Sequence, residues 1–177
     1  MSQLRRADRR FLFGTAGLIL AAIGPSACGS SASALAPFAI LQAHTRARTV
    51  QLELVASWTD AYGGFNFDGY HNGALQVSVP VGWTVEVSCD NASATLSHSC
   101  AIVDDLPVST IAPPIAFPGA SIPDPTGGLP LGGSESFTFV ASRVGRYRMT
   151  CLVPSHEANG MWDWFVVTAG GLPSVRT

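Results

Sequence analysis

The stretch Cys151-Leu152-Val153-Pro154-Ser155-His156-Glu157-Ala158-Asn159-Gly160-Met161 sets a cysteine, a histidine and a methionine five residues apart. A second histidine, His98, stands far upstream in Leu96-Ser97-His98-Ser99-Cys100. One thiolate, two imidazoles and one thioether are the donor set of a mononuclear blue-copper electron-transfer site. Soft sulfur suits Cu(I), imidazole suits both oxidation states, and a weak axial thioether leaves a near-trigonal centre. Three donors on one short loop and a fourth on a distant strand need a rigid scaffold to bring them together. The remainder of the chain must therefore supply one.

It does so with a period of two, the signature of half-buried strands. From Thr49 onward, Val50, Leu52 and Leu54 share a face, followed by Phe65 with Phe67 and then by Leu75, Val77 and Val79. Trp83, Val85, Val87 and Cys89 line another face, and His98, Cys100 and Ile102 continue the pattern. Phe137 with Phe139, the set Tyr147, Met149 and Cys151, and the run Trp162 to Val167 complete about eight predicted strands. Turns are expected at Gly63-Gly64, Asn72-Gly73, Pro80-Val81-Gly82 and Asp90-Asn91. No amphipathic helix of ordinary length follows residue 34, so a two-sheet all-β sandwich is the expected closure. Cys151 ends a strand whose inward positions are Tyr147 and Met149, which directs its sulfur into the end of that sandwich. Residues 104–133 break the rhythm with seven prolines and five glycines. Their Ile115, Ala116, Phe117 and Pro118 predict a long loop packed on the sandwich rather than a free one.

Each donor has an ordinary explanation when taken alone. A buried cysteine is common, a loop histidine is usually solvated, and a methionine before Trp162 suits a core. The set of four is what carries the metal reading. Pro154 stiffens the loop by fixing its own φ, and Gly160 permits a close approach beside Met161. His44 and His71 are expected to be solvent-exposed and to bind nothing. With one cysteine on the loop, a binuclear copper centre is excluded, and no further histidines are placed to hold a catalytic copper. No nucleophile–histidine–acid triad or phosphate loop is present.

Composition narrows the setting. Lysine is absent, and four of the ten arginines fall at Arg5, Arg6, Arg9 and Arg10. This basic start precedes the apolar run Phe11 to Gly24, which Pro25 ends. Ala32-Ser33-Ala34 supplies an A-x-A-like cleavage site, so residues 1–34 read as an export signal. Asp8-Arg9-Arg10-Phe11-Leu12-Phe13 is similar to a twin-arginine signal. Two alternatives stay open: an uncleaved signal that anchors the domain to a membrane, and lipidation at Cys28. The expected organisation is a signal at 1–34, a flexible linker at 35–48, the sandwich at 49–169 and a tail at 170–177. Without residues 1–34, six arginines face eleven acidic residues, a net charge of −5. That excludes a nucleic-acid partner, which needs a basic face. With Cys28 in the leader and Cys151 assigned to metal, Cys89 and Cys100 remain, and an exported protein permits a disulfide between them. Pairing of Cys151 with either one would instead leave an odd thiol.

Phe65-Asn66-Phe67-Asp68-Gly69, Val79-Pro80-Val81-Gly82-Trp83, the segment around His98, Phe117-Pro118-Gly119-Ala120 and Cys151 through Trp162 together resemble the sulfocyanin family. The resemblance covers residues 60–168. The Cys-x4-His-x4-Met spacing by itself is shared with other cupredoxins, and the flanking segments single out this family. The resemblance implies a cupredoxin-like Greek-key sandwich, one mononuclear blue copper and one-electron transfer in a respiratory chain. His98, Cys151, His156 and Met161 match the family's ligand positions one by one. The Cys89 and Cys100 pair departs from the family's pattern. The expected protein is an exported electron carrier, periplasmic or at the cell surface, and not an enzyme. By family analogy its redox partners are a cytochrome or a terminal oxidase. An exported copper chaperone or store is the alternative, and would present an exposed, exchange-ready site. For a carrier, His156 is the expected electron port, ringed by an apolar docking patch of Pro154, Met161 and Phe117.

Overall fold

The computed structural model describes residues 40–177, so the export-signal expectation for residues 1–34, Cys28 included, lies outside the described residues. Period-two alternation becomes nine strands: β1 (Leu41–His44), β2 (Thr49–Ala56), β3 (Gln76–Pro80), β4 (Thr84–Asn91), β5 (Ala101–Asp104), β6 (Ser134–Val140), β7 (Gly145–Thr150), β8 (Trp162–Thr168) and β9 (Ser174–Arg176). One sheet has the order β1-β2-β4-β6 and the other β5-β7-β8-β3-β9. Most neighbours are antiparallel, but β2 with β4 and β3 with β8 run parallel, each joined by a crossover between sheets. The inward faces are those the alternation names. Val50, Leu52 and Leu54 of β2 and Val85, Val87 and Cys89 of β4 are almost wholly buried, and so are Val77, Val79, Met149, Phe165 and Val167 of the second sheet. Phe139 of β6 meets Phe165 of β8 edge-on at 5.6 Å, closing the core between the sheets. Burying such a side chain contributes about 1.5–3 kcal/mol. Cys89 at the end of β4 is bonded to Cys100, just before β5, so the expected disulfide ties one sheet to the other.

Four local expectations change. Phe65 and Phe67 are not a strand. The preceding 3-10 turn, Ala61–Gly64, holds Tyr62, Gly63 and Gly64 at φ of 57°, 67° and 84°, a left-handed run that cannot extend, and only single bridges follow it. Asp90-Asn91 is the end of β4 rather than a turn. Asn91 still builds the turn beyond it: its amide donates to the carbonyls of Leu96, Leu129 and Pro130, and its oxygen accepts from Ser93 N–H. The stretch 35–48, expected as linker, contributes β1, and the tail at 170–177 contributes β9. Both are short, largely exposed edge strands, whose stability comes from ladder hydrogen bonds to a neighbour and leaves no apolar alternation to read. Residues 104–133 do pack on the sandwich. Phe117 is buried between Phe139 at 5.3 Å and Tyr147 at 4.7 Å, and bridges from Ile115 and Ser121 run along β5.

Candidate metal centre

At one end of the sandwich β7 runs out at Thr150, and the chain loops back through residues 151–161 to enter β8. The loop is closed by its own backbone. Cys151 N–H donates to Met161 O at 3.2 Å and Met161 N–H to His156 O at 3.0 Å. His156 N–H donates in turn to Val153 O at 3.1 Å. Gly160, at φ 86°, has the imidazole of His71 so close that any Cβ would overlap it. The fourth residue arrives from the other direction. His98 sits before β5 rather than on a strand, held by a reciprocal backbone pair with Leu129.

These elements bring all four predicted residues together. Nδ1 of His98 and Nδ1 of His156 lie 3.1 Å apart, Nδ1 of His156 is 3.3 Å from Cys151 Sγ, and Nδ1 of His98 is 3.1 Å from Met161 Sδ. Every one is buried: His98, Cys151 and Met161 are 0% exposed and His156 is 6%. Burial, and then the neighbouring His156, lower the pKa of His98 to about 4, and burial lowers that of His156. Both rings are therefore neutral at neutral pH, with lone pairs free to donate. Burial raises the Cys151 pKa, while hydrogen bonds from the Ser99 N–H at 3.2 Å and the Ser99 hydroxyl at 3.6 Å pull the other way. Two imidazole nitrogens and two sulfurs, turned toward one another without an acid among them, are poorly satisfied by one another and fit a soft cation. A thiolate at this depth needs such a charge beside it. The donor set suits one type 1 copper ion and no hard, oxygen-seeking metal.

Three expectations about the surroundings are corrected. His156 is not at the surface. Met161 and Phe117, the latter 2% exposed, are core residues and cannot form a docking patch, which leaves only Pro154 of that set exposed. His71 is half-buried, stacked on Tyr62 at 4.1 Å, with Nε2 3.1 Å from Asn159 O. His44 is exposed, as expected. Sequence reading passed over Ser99, Phe65 and Arg148. Ser99 reaches the Cys151 sulfur and also accepts from Leu152 N–H at 2.8 Å, and its place next to His98 is the only sequence signal for that role. Phe65 lies edge-on to His156 at 4.9 Å and to His98 at 6.5 Å. Arg148 is 1% exposed and ion-paired to Glu157 of the loop at 2.8 Å.

Comparison with known proteins agrees with this geometry. The Sulfocyanin (SoxE) domain matches residues 37–171. Sulfocyanin of Sulfolobus acidocaldarius is 28% identical over 130 residues, spanning 68% of this chain and 64% of that protein, just under two thirds of its length. Among solved structures, the copper protein rusticyanin is 25% identical with a TM-score of 0.50, covering 73% of this chain and 87% of its own. Auracyanin B, 20% identical with a TM-score of 0.50 over 72% of this chain and 94% of its own, shares the fold. With the domain match covering well over half of its length, and with the fold in agreement, the chain belongs to the sulfocyanin family of cupredoxins.

Proposed function

We propose that this protein is a one-electron carrier in a respiratory chain, with a single copper ion held by His98, Cys151, His156 and Met161. The observation that carries the proposal is the convergence of two imidazole Nδ1 atoms, the Cys151 sulfur and the Met161 sulfur at successive separations of 3.1–3.3 Å in a buried pocket. When bound, copper supplies a one-electron couple between Cu(I) and Cu(II). The chain's residues keep that couple fast by holding still. The loop's backbone bonds, the His98–Leu129 pair and the rigid sandwich fix the donors, and burial keeps water away from them. The burial also favours a carrier over a copper chaperone, which must surrender its metal to a partner. The export signal in residues 1–34 supports a periplasmic or cell-surface location, either released or anchored. A cytochrome or a terminal oxidase is the partner that family analogy supports.

The test is the visible spectrum and voltammogram of the protein with Cu(II). An intense blue or green band and a reversible one-electron wave are expected. Cys151→Ser should abolish the band, because its intensity requires a copper–thiolate bond. A colourless parent protein, or a fully coloured Cys151→Ser variant, overturns the assignment.

A further inference from the structure

His156 is a ligand on the loop, yet only 6% of it reaches solvent. Among the described residues one aromatic ring outside the ligand set, that of Phe65, packs against it. Phe65 stands edge-on to His156 at 4.9 Å and 72°, and to His98 at 6.5 Å and 79°. Phe65 is itself only half-buried, so part of the side chain packs against the imidazoles while part stays open to solvent.

The segment that carries Phe65 is built to hold it there. Tyr62 takes a left-handed φ of 57°, a costly conformation for a bulky residue. Gly63 and Gly64 continue the reversal, and a Cβ on Gly64 would meet the Ser57 hydroxyl at 2.7 Å. Tyr62 stacks on His71 at 4.1 Å, and His71 bonds to Asn159 O in the metal loop. Backbone bonds from Asn72 N–H to Gly160 O at 2.8 Å and from Gly73 N–H to Trp162 O at 2.9 Å fasten the segment's far end to the same loop. Asn66 is buried, and its amide donates to Thr59 O and Ala61 O, locking the inside of the turn. Strain of this kind persists only where the surroundings over-determine it, and here it aims one ring at two ligand histidines.

We propose that residues 60–71 form a cap through which the electron enters and leaves, with Phe65 as the contact to His156 and the exposed Tyr62 and Gly63, with the open part of Phe65, as the docking surface for a redox partner. This rests on the copper-carrier reading above. Tyr62 is 58% exposed, and Asp60 is the one charged residue between Ser57 and Phe67. The partner that fits is a redox protein whose own electron port is apolar and uncharged, bound by a small contact of the transient redox class. A second copy of this chain presents such a face. Electron self-exchange, in which a Cu(I) copy gives one electron to a Cu(II) copy and the two swap oxidation states, therefore reads the same surface.

The experiment measures self-exchange by NMR line broadening in the copper-loaded protein, with the visible spectrum and potential recorded for each variant. Tyr62→Glu places like charges face to face at the contact and should slow exchange by roughly tenfold or more at unchanged potential, the scale of interface-mutant effects on association. Tyr62→Phe, which keeps the stack on His71, should retain the parent rate. Val144→Glu, at an exposed residue just before β7 and so at the opposite end of that strand from the metal loop, should leave the rate within about twofold. Slowing by Val144→Glu alone, equal slowing by both charged variants, or slowing by neither overturns the proposal. A second readout does not depend on electron transfer. Diethyl pyrocarbonate should label His156 slowly in the parent and in Phe65→Leu, and rapidly in Phe65→Ala, with and without copper and with exposed His44 as the internal standard. Rapid labelling of His156 in the parent removes the cap. If the parent shows no intense Cu(II) band, it is the copper reading that has failed, and the labelling result still decides whether Phe65 seals His156.

Discussion

Cys151 meets opposing demands. Burial disfavours its ionised form, yet metal binding needs the thiolate, and the Ser99 N–H and hydroxyl supply the nearest compensation. Among the described residues no backbone N–H donates to the Met161 sulfur, which lies against Nδ1 of His98 and is wholly buried. As the weak thioether of the set, it is the ligand through which potential is most easily adjusted. Met161→Gln, with a harder oxygen donor favouring Cu(II), should keep copper bound and lower the potential, whereas Met161→Leu should raise it. Voltammetry showing no shift in either variant removes Met161 from the residues that would hold the copper. At this scale the ligand residues were legible in the chain because their types and spacing are chemically unusual together. Ser99 and Phe65 were not, because a serine beside a histidine and a phenylalanine in an apolar run have many commoner explanations.

The elements around the centre are joined by charge as well as by ladder bonds. Arg148 of β7 alternates with the inward Tyr147 and Met149 and should face water, but residues 104–106 cover it. Its guanidinium bonds to Glu157 at 2.8 Å, to Asp105 at 3.3 Å and to Leu106 O. One buried arginine thus binds β7, the metal loop and the proline-rich segment. Breaking a buried pair by removing one partner typically costs about 3–5 kcal/mol, because the other charge is left stranded. Arg148→Met should therefore lower unfolding free energy by about that much in urea titrations, and Arg148→Met combined with Glu157→Gln should recover most of the loss. Equal stability of the parent and Arg148→Met would show the pair to be water-screened. The Cys89–Cys100 bond spans 11 residues and joins the sheets. Its reduction should cost about 2–3 kcal/mol by releasing loop entropy to the unfolded chain. A transition midpoint unmoved by reductant would contradict that.

For the whole molecule, the core contains a carboxyl group with a cost. Asp68 is fully buried. Its Oδ1 accepts from Val55 N–H at 2.9 Å, and its Oδ2 has no partner. Burial raises its pKa from 3.8 to about 8, with Glu53 and Asp90 adding to the rise. A carboxyl harder to ionise in the folded state holds its proton there after the unfolded chain has released its own, so the contribution of Asp68 to stability declines as pH rises from about 4 to about 8. In the metal-free protein His98 and His156, whose pKa values burial lowers from 6.5, act in the opposite sense below that pH, so the fall in denaturant midpoint should show between about 6.5 and 8. Asp68→Asn should reduce that fall, leaving the share of buried Asp163, and a fall as steep as the parent's would refute the assignment. The sequence by itself determined the two-sheet sandwich, most of its strands, the disulfide and the four candidate ligands. Period-two alternation and donor chemistry are local properties, written in residue type and spacing. Only the tertiary structure decided that His156 is covered and by what, that Arg148 is buried, and that edge strands bracket the core. Each of those depends on a segment distant in sequence, Tyr62–Phe65, residues 104–106 or the neighbouring strand, arriving against a surface whose own residues give no sign of what will cover it.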